Sequence, residues 1–194
     1  MKTWILGLVG VCSLAWLSSG TEAWQIRSIG TATASLDMAF TVAVDAAGNV
    51  VTAGATDNKG TAQGITVIKF DGVSGAELWH QVLTSPAPGF NDAAYAAVVD
   101  GAGDVIIAGA VMTGGVPANA TFTVLKLDGA SGAVCWPQDI SGGQARTVAV
   151  DAAGDVIAAG FLTTASPHVA FTVVKLDGAS GTERLAPGHH RHRS

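Results

Sequence analysis

Six aspartates carry most of the chemistry this sequence could do: Asp45, Asp71, Asp100, Asp128, Asp151 and Asp177. Carboxylates at regular spacing could move protons or hold calcium. Beside them stand His80 and His168, one thiol at Cys135, and a C-terminal run HHRHR in which His189, His190 and His192 could meet on one metal ion. Each needs partners before it becomes a site. The element D-x-x-G-[ND] lacks the further oxygen ligands of a calcium loop, so turn formation is the expected duty of these aspartates. His80 and His168 have no Ser or Cys nucleophile at a recognisable spacing. Cys135 lies in an apolar stretch beside Trp136, which predicts a buried, inert thiol. Glu77 and Glu183 occupy one repeat position on a solvated strand, and Asn119-Ala120-Thr121 reads as a chance match to the glycosylation acceptor. The sequence therefore predicts no catalytic residue, no cofactor-binding residue and no metal site.

The elements that position these residues form an internal repeat. TVAVDAAGNVVTAGAT from Thr41, AAVVDGAGDVIIAGAV from Ala96 and TVAVDAAGDVIAAGFL from Thr147 align with one another. Each is followed by a second element: ITVIKFDGVSGAELWHQV, FTVLKLDGASGAVCWPQD and FTVVKLDGASGTERLAPG. The aspartate of the second element follows that of the first by 26, 28 and 26 residues. Within one unit the pattern gives four short strands. TVAV runs into the turn Asp45-Ala46-Ala47-Gly48-Asn49, where Asp accepts backbone hydrogen bonds and Gly takes positive φ. VVTAGA follows, then a variable polar loop, then ITVIKF, closed by the second turn from Asp71 to Gly75, and AELWHQVL ends the unit. Four antiparallel strands in tandem predict an all-β protein of about three propeller blades; a right-handed β-helix is the alternative.

The element K-[FL]-D-G-x-S-G-x-x-x-W, at Lys69–Trp79 and Lys126–Trp136, resembles the tryptophan-bearing blade repeat of PQQ-type (quinoprotein-like) propellers. V-A-V-D-x-x-G-[ND]-V-x-x-A-G resembles the bacterial β-propeller repeats called SBBP and, more loosely, NHL repeats. Such a resemblance implies turns and inter-blade packing, with Trp wedged between neighbouring sheets. It implies no PQQ binding here, because the cofactor and calcium ligands of a quinoprotein dehydrogenase are not found. The N-terminus keeps the same register: Trp24 precedes Asp45 by 21 residues, as Trp79 precedes Asp100. WQIRSIG thus reads as the fourth strand of a blade whose other strands come from elsewhere. The expected organisation is a signal peptide over 1–23, a repeat region over 24–183 and an aberrant basic tail over 184–194. The repeat region divides into units at about 41–95, 96–146 and 147–183, with 24–40 a lone outer strand and linker. Three blades fall below the four to eight of a closed ring.

Charged residues are only 13% and Gly is 25 of 194, the profile of short strands joined by tight turns. A net charge of -5 argues against a nucleic-acid partner. Lys2, an apolar run from Trp4 to Leu17 and small residues ending at Ala23 build a secretory leader. Its cleavage would remove Cys12 and leave Cys135 alone, so no internal disulfide is expected. A secreted, periplasmic or cell-surface location follows, with no membrane association after cleavage.

In the third unit a Trp is due near Leu185, and TERLAPGHHRHRS stands there instead. Back-translated with GC-rich codons, a one-base skip in the Arg184 codon reads EVWRQVITG, which restores the E-x-W-x-Q-V-x-T of Glu77 to Thr84. The tail thus reads as a frameshift or truncation, with a metal-binding tail as the other reading. The expected function is an exported, non-catalytic scaffold or binding module. The alternative is part of a quinoprotein-like oxidoreductase, or of another propeller enzyme, whose site lies on further blades. No cofactor is expected, and exposed blade edges predict self-association.

Overall fold

The computed structural model describes residues 23–27, 36–58, 63–84, 91–114, 119–163 and 168–184. Residues 1–22, 28–35, 59–62, 85–90, 115–118, 164–167 and 185–194, the last with His189, His190 and His192, lie outside them. The described residues form strands and turns without a helix. β1 (Met38–Val44), β2 (Val50–Asp57), β3 (Gln63–Phe70) and β4 (Glu77–Leu83) pair in sequence order as one antiparallel sheet. β5 (Ala93–Val99), β6 (Val105–Gly114), β7 (Asn119–Leu127) and β8 (Val134–Ser141) form the second, and β9 (Gly143–Val150), β10 (Val156–Thr163) and β11 (Val169–Leu176) the third. A bridge between Leu176 and Glu183 stands where a fourth strand would start. Phe70 faces Glu77 and Leu127 faces Val134 in the complete sheets, so all three units share this register.

The sheets stack face to face because β2–β3, β6–β7 and β10–β11 carry apolar residues on both faces. Between the first two sheets, Val51, Ala53, Ile65, Val67 and Trp79 meet Ala94, Val105, Ile107, Leu125 and Leu127. Between the second and third, the equivalent residues Ile106, Ala108, Phe122, Val124 and Trp136 meet Ala145, Val156, Ala158, Val174 and Leu176. One interface is thus built twice from the same repeat positions. The middle sheet is covered on both sides, and Ile106 and Ile107, which point to opposite faces, are both buried. The described residues do not close a ring.

One expectation changes at this level. Cys135 is exposed, not buried. Alternation along β8 turns Trp136 inward and Cys135 outward, and the apolar look of the stretch hid that period of two. Burial that remains, together with the carboxylates of Asp104 and Asp128, still pushes its thiol pKa up, which keeps it a weak nucleophile. Of the segment read as a lone outer strand and linker over 24–40, residues 28–35 lie outside the described residues.

Candidate functional site

The charged residues gather at the turn ends of the sheets. In the first turn Asp45 Oδ1 accepts the amides of Ala47 at 2.9 Å and Asn49 at 2.8 Å. Asp100 does the same for Ala102 and Asp104, and Asp151 for Ala153 and Asp155. In the second turn Asp71 Oδ1 accepts the Ser74 amide and hydroxyl, both at 2.7 Å, an arrangement repeated by Asp128 with Ser131 and Asp177 with Ser180. The turn duty expected of the aspartates is what these bonds perform.

What the spacing did not disclose is the other oxygen of the first aspartate. Asp45 Oδ2 lies 2.9 Å from Lys69 Nζ, Asp100 Oδ2 2.8 Å from Lys126 Nζ, and Asp151 Oδ2 2.7 Å from Lys175 Nζ. Each lysine sits in the third strand of its sheet, two residues before the second turn. A Lys in an otherwise apolar strand must find an acceptor, and that demand was the available signal. Lys126 also meets Asp104 Oδ2 at 3.1 Å and the Gly178 carbonyl of the next sheet at 3.2 Å. Three acceptors use up its three N–H bonds, which leaves no free lone pair or proton for amine chemistry. Lys69 likewise donates to the Gly129 carbonyl of the next sheet at 2.8 Å.

The tryptophans converge on the same carbonyls. Trp79 Nε1 donates to Gly129 O at 3.1 Å, Trp136 Nε1 to Gly178 O at 3.2 Å, and Trp24 Nε1 to Gly72 O at 3.2 Å. Each ring lies on the second glycine of that turn. A Cβ on Gly132 would stand 2.7 Å from the Trp79 ring, and one on Gly181 2.6 Å from the Trp136 ring. Turn, lysine and indole form one latch per interface, tying each sheet to the next. Trp24 seats itself on Gly75 in the same manner, so the register read for it from sequence corresponds to a real contact.

Burial would raise the carboxyl of Asp45, but hydrogen bonds from Lys69 and Asn49 outweigh it and hold its pKa far below the usual carboxylate range. Asp100 is lowered against its burial by Lys126, and Asp151 by Lys175. Ser74 and Ser131 hydroxyls lower Asp71 and Asp128, and the Ser180 amide lowers Asp177. Such carboxylates stay ionised and make poor general acids. Lys126 is raised by Asp100 and Asp104 in spite of desolvation, and Lys175 by Asp151 and Asp155. Carboxyls lowered on folding add stability above their unfolded pKa of about 3.9 and lose it as pH falls through the lower folded values. Lysines raised on folding add stability below about 10.4 and lose it as pH rises through the folded values. The urea midpoint is expected to be flat between about pH 5 and about pH 9 and to fall outside that range. An unchanged midpoint at about pH 3 contradicts the ion-pair latch.

The other candidates are not brought together. His80 Nδ1 lies 4.0 Å from Glu77 Oε1, and Glu77 and Glu183 are exposed. Among the described residues no group of three or more His, Cys, Asp or Glu is arranged to hold a metal ion. A feature missed from sequence is a row across the first strands of the sheets. Phe40 and Tyr95 have ring centroids 5.9 Å apart, and the Arg146 guanidinium sits 4.2 Å above the Tyr95 ring. All three precede the first-turn aspartate of their unit by five residues, so one repeat position carries three different side chains.

Four-stranded antiparallel sheets, stacked through a repeated interface, define tandem β-propeller blades. No family model and no curated protein matches the sequence. Among solved structures, quinohemoprotein alcohol dehydrogenase from Comamonas testosteroni is similar at 17% identity over 71% of this chain, with a TM-score of 0.51. BamB from Moraxella catarrhalis is similar at 22% identity over 77%, with a TM-score of 0.46. The chain spans 25% of the dehydrogenase and 36% of BamB. The likeness to the dehydrogenase concerns the fold, and on that level this is a propeller protein.

Proposed function

We propose that the chain is an exported array of propeller blades that serves as a non-catalytic scaffold or binding surface. One observation carries this reading: the charged residues that recur in every unit are engaged in turns and inter-blade latches, whereas the row Phe40, Tyr95, Arg146 differs from blade to blade and is partly open. An aromatic pair capped by a guanidinium suits recognition of planar or anionic groups. The enzyme reading takes its support from the fold shared with an alcohol dehydrogenase. Addition of PQQ and Ca2+ with a primary alcohol and an electron-accepting dye separates the two. The scaffold reading expects no dye reduction above a protein-free control and no saturable quenching of tryptophan fluorescence. Saturable PQQ binding accompanied by dye reduction would replace it with the dehydrogenase reading. No helix among the described residues is long and apolar enough to cross a membrane.

A further inference from the structure

Each first strand carries a β-bulge at one repeat position. Ala39 pairs with Gly54 and Thr41 with Ala53, which leaves Phe40 without a partner across the ladder. Tyr95 is passed over in the same way between Ala94 and Ala96, and Arg146 between Ala145 and Thr147. A glycine faces each bulge: a Cβ on Gly54, Gly109 or Gly160 would run into the carbonyl of Met38, Ala93 or Gln144. The Ala-Gly pair of the repeat thus makes room for the bulge, and a bulge re-aims the side chain of its extra residue. The repeat keeps the device and varies what it displays.

The three displayed side chains adjoin because β1, β5 and β9 are edge strands lying side by side, with the Ala97 amide donating to Thr41 Oγ1 at 3.2 Å. Phe40 is 44% exposed, Tyr95 is half-buried and Arg146 is exposed. Arg146 is also the one charged residue in the sequences of these three strands. Lys69, Lys126, Lys175 and Arg184 are all held by aspartates. Among the described residues Arg146 has the Tyr95 ring beneath it and no carboxylate beside it. Its fork of N–H donors is therefore open to a bidentate anion.

We infer that this row binds an acidic oligosaccharide, with pyranose rings laid on Phe40 and Tyr95 and a uronate carboxylate on Arg146. The inference rests on the binding-surface reading above and gives it a ligand class. The C–H face of a pyranose is apolar and meets the negative face of an aromatic ring, while guanidinium takes a carboxylate through two parallel N–H bonds. The planes of Phe40 and Tyr95 meet at 51°, so they form no parallel slot for a flat aromatic ligand. Small molecules are held in concave sites that bury most of their surface, and an open row fits a chain laid across it instead. A peptide would add as a strand, and bulges on all three edges oppose that pairing.

Tyr95 is the only tyrosine of the chain, so fluorotyrosine labelling of the full chain gives one fluorine NMR resonance that reports on the row. Titration with trigalacturonate is expected to move that resonance saturably. Arg146→Gln should weaken binding by about tenfold or more, and Arg146→Lys, which keeps the charge without the fork, by less. Arg146 is exposed, so both variants should keep an unchanged circular dichroism spectrum. The methyl ester of trigalacturonate supplies rings without charge and hexaglutamate supplies charge without rings; each should bind about tenfold more weakly. No saturable shift, an equal shift with the ester or with hexaglutamate, or a shift indifferent to Arg146→Gln overturns the inference. A still resonance with no dye reduction in the PQQ assay removes the ligand class and leaves the binding surface. Dye reduction removes the reading beneath it as well.

Discussion

Trp79→Ala is expected to lower the unfolding free energy by about 3–5 kcal/mol, read as a shift in the urea midpoint. Trp79 is buried between the first two sheets, and its indole nitrogen donates across the interface to Gly129 O. Removing it opens a cavity among Val67, Leu125 and Leu127 and takes away one of the two donors on that carbonyl. Domains hold only about 5–15 kcal/mol in total, so the loss is a large share of what keeps the array assembled. Repeat arrays draw much of their stability from neighbour interfaces, and the first sheet should part from the second before either melts. Trp24→Ala should cost less, because Trp24 is only half-buried.

Gly132→Ala should approach the same loss by a different route. Gly132 has φ +74, where an L residue costs about 1–2 kcal/mol. Its new methyl would also stand 2.7–2.8 Å from the Trp79 ring, so the indole must leave its seat. Gly103→Ala supplies the comparison. Gly103 has φ +90, but a Cβ there meets nothing within 4 Å. That variant should show the backbone cost alone, and the difference between the two is the price of unseating Trp79. Equal midpoints for Gly103→Ala and Gly132→Ala would mean that the ring contact contributes nothing.

The parts legible in the sequence are those fixed by local turn chemistry. Asp45, Asp100 and Asp151 bond amides two and four residues ahead, so a short motif contains the whole interaction and repeats visibly. The ion pairs escaped because their partners are far apart in sequence. Lys126 lies 26 residues beyond Asp100, and only the return of the third strand beside the first turn joins them. The apolar neighbours of Cys135 suggest a buried site, but strand alternation sets its face outward. The row of Phe40, Tyr95 and Arg146 left no signature because its side chains differ from unit to unit; its common feature is position on adjoining first strands.

The account rests on one claim, that each blade is held by the Trp of its neighbour seated on a turn glycine. The double-mutant cycle joining Trp79→Ala and Gly132→Ala tests it most directly, with unfolding free energies measured for all four proteins. Once Trp79 is gone, Gly132→Ala should cost only the backbone term of about 1–2 kcal/mol, the same as Gly103→Ala. A cost for Gly132→Ala that is unchanged by the presence or absence of Trp79 would contradict the latch.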